Sequence, residues 1–236
     1  MKAGAKQALA LFLDTAGDFL RDGHWQERAM PQWTDTEADA PPMQTADSLE
    51  KVAAEVRFCM DCRLCGLRIL AVPGEGVSNP SVLVVGEAPG AAEDSSGRPF
   101  VGKAGQLLDK MLASIELSRQ SNCFIVNTVK CRPPGNRDPL PDETAACARF
   151  FSRQFALLQP KAVLCVGRIA AQTLLKTNEG IGNLRGTFFD YQGRPLIATF
   201  HPSALLRDAS LKRPAWEDLK TLKAKLLSLR DGNAAV

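Results

Sequence analysis

The stretch SVLVVGEAPGAAEDSSGRPFVGKAGQLL, residues 81–108, decides how the rest of the chain is read. Its first six residues are an apolar, valine-rich run, too short for a stable helix, and read as a strand buried on both faces. A Gly/Pro-rich acidic loop follows, and from Lys103 onward the apolar positions fall at helical spacing. Outward from there the pattern repeats. Residues 123–127 (CFIVN), 161–167 (KAVLCVG) and 195–200 (PLIATF) read as strands, and 184–191 as an extended segment. Helices are expected over 103–117, 141–158, 169–176 and 214–229. Apolar strands alternating with helices predict a three-layer α/β/α fold with a central, mainly parallel four-stranded sheet. Ligands in such folds sit beyond the carboxyl ends of the strands. Three strand ends carry suggestive side chains: Glu87, Asn127 and His201.

The 236 residues are 45% hydrophobic, enough for a substantial core. No apolar run approaches the roughly 18 residues that span a bilayer, so no membrane association is expected. The short apolar run at 8–13 ends at Asp14 and makes a poor signal-peptide core. The chain is therefore expected to be cytoplasmic, with reduced thiols. Residues 1–22 read as a short helix and 23–46 as an acidic linker of disordered composition. The folded domain is expected to span 47–236, opening with a capped helix at TADSLEKVAAEV. Charge divides near that boundary: residues 1–55 carry a net −5 and the remainder +8. A basic domain behind an acidic leader suits a polyanionic partner such as nucleic acid, and suits equally a domain whose lysines are simply solvated.

Seven cysteines in a chain of this kind point to metal ligation plus buried thiols rather than disulfides. Cys59 and Cys62 form a C-x2-C pair, the spacing by which a tight loop offers two thiolates to one ion or cluster. Cys65 makes a competing pair with Cys62. Cys131, after the second strand, and Cys147, on the next helix, can converge on the same site. Spacing does not choose between zinc and iron–sulfur. Cys123 and Cys165 lie in apolar strands and read as core. The loop after the first strand is neither a G-x-G-x-x-G fingerprint nor a P-loop. Its acids Glu87, Glu93 and Asp94 make a solvated turn or a site, with Phe100 as anchor. His201 is the one histidine of the folded domain, so any imidazole chemistry falls to it. Leu205 and Leu206 follow it; exposed they could wedge into a base stack, buried they are core.

Taken together, GEAPG-x2-ED-x2-G-x-PFVG-x-AG-x-LL, NTVKCRPPGNRDP and HPSALLR resemble the family 4 uracil-DNA glycosylases, the iron–sulfur type. The resemblance covers roughly residues 59–229 and leaves out the leader. It implies uracil-DNA glycosylase activity on single- or double-stranded DNA by a monomer, with a base-excision role. It places a [4Fe–4S] cluster of structural role on Cys59, Cys62, Cys131 and Cys147 and leaves Cys65 free. It places Glu87 and His201 in catalysis, Gly86, Ala88, Glu93, Phe100 and Asn127 in substrate binding, and Ser203, Leu205, Leu206 and Arg207 against DNA. The chemistry suits these residue types. Asn127 carries a donor and an acceptor for uracil O4 and N3–H, His201 a donor for O2, and Phe100 a stacking face. Glu87 either positions water or stabilises the cationic sugar. A relative that traps the abasic sugar through a histidine after the second strand is disfavoured, because RPPGNRDP has none. Family 5 lacks the acid at Glu87. A binding-only factor with a zinc-stabilised domain is the reading from another class.

Overall fold

The computed structural model describes residues 47–231; the helix and linker expected over 1–46 lie outside the described residues. The first described element, α1 (Leu49–Phe58), starts where the capping signal places it, with Ser48 Oγ accepting from the Lys51 amide at 3.2 Å. The sheet has six strands rather than four, in the order β1-β3-β2-β4-β6-β5. Its centre is the expected parallel set: β2 (Val82–Gly86), β3 (Cys123–Asn127), β4 (Ala162–Val166) and β6 (Arg194–Thr199). Two antiparallel edges complete it. One is β1 (Glu75–Gly76) on β3, the other β5 (Phe188–Tyr191) on β6. A two-residue strand carries no readable alternation, and β5 is only half-buried, so neither edge has the apolar signature of the central strands.

Alternation along the central strands builds the three layers. Val82 and Val84 face one side, packed with Leu108, Met111 and Leu112 of α3 (Lys103–Ala113) and Leu219, Leu222 and Leu226 of α8 (Lys212–Asp231). Leu83 and Val85 face the other, against Phe151, Phe155 and Leu158 of α4 (Pro141–Leu158) and Ala170, Ala171 and Leu174 of α5 (Arg168–Leu175). Cys123 and Cys165 are core residues, one on each face, and burial pushes the Cys123 thiol up to about 12. Three short helices sit at the strand ends: α2 (Ala91–Ser96), α6 (Ile181–Leu184) and α7 (Pro202–Arg207). α2 lies inside what reads as a loop, because its six residues offer too little periodicity to register. Among the described residues no helix is long and apolar enough to cross a membrane.

A third apolar cluster lies outside the sheet. Val52 and Val56 of α1 meet Leu64, Val129 and Phe150, with Cys131 and Cys147 buried among them and Cys59 and Cys62 at its margin. Arg153 on α4 ties the two helices by pairing with Asp47 at 2.7 Å and with Glu55.

Candidate active site

A cavity of about 630 Å³ opens at the carboxyl ends of β2, β3, β4 and β6. Of the residues expected there, it is lined by Glu87, Ala88, Glu93, Phe100, Asn127, His201, Ser203 and Arg207. Gly86 is not part of the lining. It lies behind, where a Cβ would stand 2.4 Å from Asn127 Oδ1 and 2.5 Å from Phe100 Cζ. Its lack of a side chain is what lets that ring and that amide sit side by side.

Asn127 ends β3 at 1% exposure, and neither its Nδ2 nor its Oδ1 has a hydrogen-bond partner. A buried amide with both ends unpaired costs about 1–3 kcal/mol per group, which a ligand with matching groups would recover. Its backbone is fixed from below: the Lys130 ammonium, fully buried, donates to Asn127 O at 2.9 Å and to Gln154 Oε1 at 2.7 Å.

His201 caps α7. Its Nδ1 accepts from the Ser203 amide at 3.1 Å, and Ser203 Oγ lies 2.7 Å from the same nitrogen. With Nδ1 the acceptor, the ring proton belongs on Nε2. Burial pulls the imidazole down to about 4, with Arg207 adding to the effect and Glu93 opposing it, so the ring is neutral at physiological pH. A neutral imidazole with its proton on Nε2 is a fixed hydrogen-bond donor. Its ring centroid stands 5.8 Å from that of Phe100.

Glu87 is half-buried. Desolvation, then Asp138, push its carboxyl up to about 7, with Arg168 pulling the other way. Arg168 is itself paired with Asp138 at 2.5 Å. Glu93 lines the cavity and also organises the loop. Its carboxylate accepts from the amides of Gly90 (3.0 Å), Val101 (2.8 Å) and Gly102 (2.9 Å), folding the loop around itself. Asp94, buried, instead ties the loop to the segment before β1, accepting from the Ile69 amide at 2.9 Å.

Leu205 and Leu206 part company. Leu205 is 3% exposed and packs in the core with Leu108, one face of α7 being set by Pro202 and Leu205 three residues apart. It is therefore corrected from a DNA contact to a core residue. Leu206 is 52% exposed, next in the chain to Arg207, which is exposed and lines the cavity. Lys103, Arg137 and Arg168 also line the cavity and escape sequence reading. Arg168 follows the end of β4, so the rule that strand ends carry function would have found it. Arg137 is set by its bidentate pair to the buried Glu143, at 2.8 and 2.7 Å, which holds that carboxyl below the usual range.

Five of the seven cysteines gather away from this cavity. Cys59, Cys62, Cys65, Cys131 and Cys147 ring one small void, shared with Arg68, Lys130 and Phe150. Among the described residues no three His, Cys, Asp or Glu side chains meet closely enough to hold one metal ion. Arg68 Nη1 donates to Cys131 Sγ at 3.0 Å and its Nη2 to the Cys59 carbonyl at 2.8 Å; the Lys130 amide donates to Cys147 Sγ at 3.3 Å. Donors aimed at sulfur suit thiolates. Burial pushes the Cys131 thiol up to about 11, with the Arg68 guanidinium pulling the other way. Four of the five thiols belong to the third apolar cluster, and Cys65 does not.

Comparison with known proteins places the chain in a family. The model of the uracil DNA glycosylase superfamily matches residues 73–220. The chain is 40% identical over 190 residues to the type-4 uracil-DNA glycosylase of Saccharolobus solfataricus, covering 77% of this chain and 88% of that one. It is 39% identical to the type-4 uracil-DNA glycosylase of Thermotoga maritima, covering 80% of this chain and all of that one. The type-5 uracil-DNA glycosylase of Thermus thermophilus is 36% identical over 56% of this chain.

Proposed function

Because the chain belongs to the uracil-DNA glycosylase superfamily, and within it to the type-4 enzymes, we propose that the cavity beyond β2, β3 and β6 reads and releases a uracil flipped out of DNA. The activity is that of a uracil-DNA glycosylase, a hydrolase of N-glycosyl bonds. The observation that carries the site assignment is the buried, unpartnered amide of Asn127 beside the ring of Phe100. Uracil offers O4 as acceptor and N3–H as donor, the complement of Nδ2 and Oδ1. Cytosine reverses both and leaves the amide mispaired.

The base enters only after leaving the stack. Phe100 supplies the face it stacks on. The N1–C1′ bond breaks with its electron pair going to uracil, whose charge gathers on O2. The fixed Nε2–H of His201 donates there, where charge develops. The sugar left behind is oxocarbenium-like. The Glu87 carboxylate, ionised above about pH 7, offsets that positive charge and accepts a proton from the water that adds to C1′. Ser203 and Arg207 contact the DNA backbone, and Leu206 fills the gap the base leaves. Lys103 adds positive charge beside the cavity for the phosphates of DNA, while Arg137 and Arg168 are already paired with Glu143 and Asp138.

The cysteine void suits a polynuclear group: thiols ring it rather than meet at a point, and donors aim at their sulfurs. Cys59, Cys62, Cys131 and Cys147 would hold a [4Fe–4S] cluster, with Cys65 outside the set. These four cysteines, on the segment after α1, at the start of the Arg63–Gly66 turn, after β3 and on α4, would hold it between them, and binding there would brace the loops beside the cavity. Cys131→Ser is expected to lose most of the iron. The unfolding midpoint should fall by roughly 10 °C, since the metal's binding energy is folding energy. Iron analysis and a thermal melt check both, and a variant with full iron would move the site to another cysteine set, Cys65 included.

The function itself is tested by uracil release. A single-uracil, single-stranded oligonucleotide is incubated with the iron-loaded protein, then cleaved with alkali at any abasic site. Cleavage at uracil and none in a thymine control is the expected result. An intact, iron-loaded protein that binds the strand without releasing base would sink the reading.

A further inference from the structure

Arg119 stands in none of the motifs that mark the cavity, in the turn before β3, yet its side chain is only 4% exposed. The whole fork of its guanidinium is used. Nη1 donates to the Pro99 carbonyl at 2.8 Å and Nη2 to the Phe100 carbonyl at 3.0 Å. Nε and Nη2 donate to Asp109 Oδ1 on α3, at 3.1 and 2.8 Å. Glu75 of β1 lies 3.8 Å from Nη1. A planar, five-donor group can bridge two successive carbonyls and a carboxylate at once; a lysine ammonium cannot.

What it holds is strained. Phe100 has φ +53°, the left-handed region that a bulky side chain rarely enters. The opposite side is closed by α3, where a Cβ on Gly105 would stand 1.9 Å from Phe100 O. The carbonyl is thus pinned between a helix that admits only glycine and a buried guanidinium. That backbone setting aims the ring over Gly86, beside Asn127 and toward His201. In the extended conformation the side chain would leave the same Cα in another direction, away from the amide.

We infer that Arg119 is a positioning residue of the glycosylase reaction: it holds Phe100 in its left-handed conformation and so fixes the stacking face. This rests on the stacking role proposed for Phe100. The pairing with Asp109 and the proximity of Glu75 orient Arg119 in turn, so edge strand β1 and α3 bear on the cavity from outside it.

The test is a double-mutant cycle in single-turnover uracil release, with saturating iron-loaded protein and each variant's unfolding midpoint measured alongside. Arg119→Lys should lower the rate about tenfold at a temperature where every variant is folded. In a Phe100→Ala background the same change should cost less than about twofold, because the ring it positions is gone. Equal losses in both backgrounds would overturn the inference and make Arg119 a general brace; so would a wild-type rate for Arg119→Lys alone. A wild-type rate for Phe100→Ala alone would instead sink the stacking role itself. Should Arg119→Lys fail to fold, Asp109→Asn frees the guanidinium while keeping it, and the same cycle applies: a loss confined to the Phe100 background supports the inference, and an equal loss in both refutes it.

Discussion

Glu87→Gln should slow single-turnover uracil release by about 10²–10⁴-fold and remove a pH limb near neutrality. The side chain is half-buried at the end of β2, where desolvation first and Asp138 second push its carboxyl up to about 7. Only the ionised form can offset a cationic sugar or take a proton from water. The wild-type rate should therefore rise tenfold per pH unit below about 7 and level off above it. No second limb is expected from His201 between pH 5 and 8, since burial has already moved that ring down to about 4. Gln keeps the shape and removes the titration, so its slow rate should be flat across the window. A wild-type profile that is flat from pH 5.5 to 8, or a Gln variant that keeps the limb, would remove Glu87 from the chemistry.

The same shift has a sign in stability. Between the ordinary carboxylate range and about pH 7 the folded state binds a proton at Glu87 that the unfolded chain has lost. Stability from this group is thus present at low pH and lost as pH rises through about 7. Glu87→Gln should melt higher than wild type at pH 8 and show no such gain at pH 4. A site that gains stability when its functional acid is removed is one where burial of that acid works against the fold.

How much of this could be read before the structure depends on the range of each interaction. The parallel core was legible because β2, β3 and β4 are buried on both faces and read as unbroken apolar runs. The end residues Glu87, Asn127 and His201 followed from the rule about strand carboxyl ends. Glu93 shows where such reading stops. Its short-range partner, the amide of Gly90, lies three residues back and is a helix-start pattern, but its other partners, Val101 and Gly102, are brought to it only by the loop's closure. Asp138 and Arg168, thirty residues apart, meet only in the folded chain, one following β3 and the other β4 in a sheet where a single strand separates them. Leu205 and Leu206 could not be told apart until the orientation of α7 was known, since adjacent helical residues point some 100° apart. The cysteines were legible as a set from spacing, while the exclusion of Cys65 from the apolar cluster is a matter of packing alone.

Asn127→Asp should cut uracil release by at least about 10²-fold and narrow the preference for uracil over cytosine by about 10³-fold. The amide is buried with its donor and acceptor unpaired, so it has no solvent to relax into, and in the proposed reading the base must match it. Uracil matches it twice. A carboxylate of the same shape offers two acceptors, and its second oxygen faces uracil O4 in repulsion. Burial at this position favours the protonated acid. That form presents a hydroxyl donor to cytosine N3 and an oxygen acceptor to its exocyclic amine, so cytosine gains where uracil loses. The Lys130 ammonium below, which holds the backbone carbonyl of this residue, also draws on a carboxylate and will limit how far the acid is protonated. Narrowed preference should therefore be greater at pH 6 than at pH 8. Rates on matched single-uracil and single-cytosine oligonucleotides measure the ratio directly. If the variant slows on uracil yet discriminates against cytosine as strongly as wild type, then the pocket's shape and not this amide tells the two bases apart.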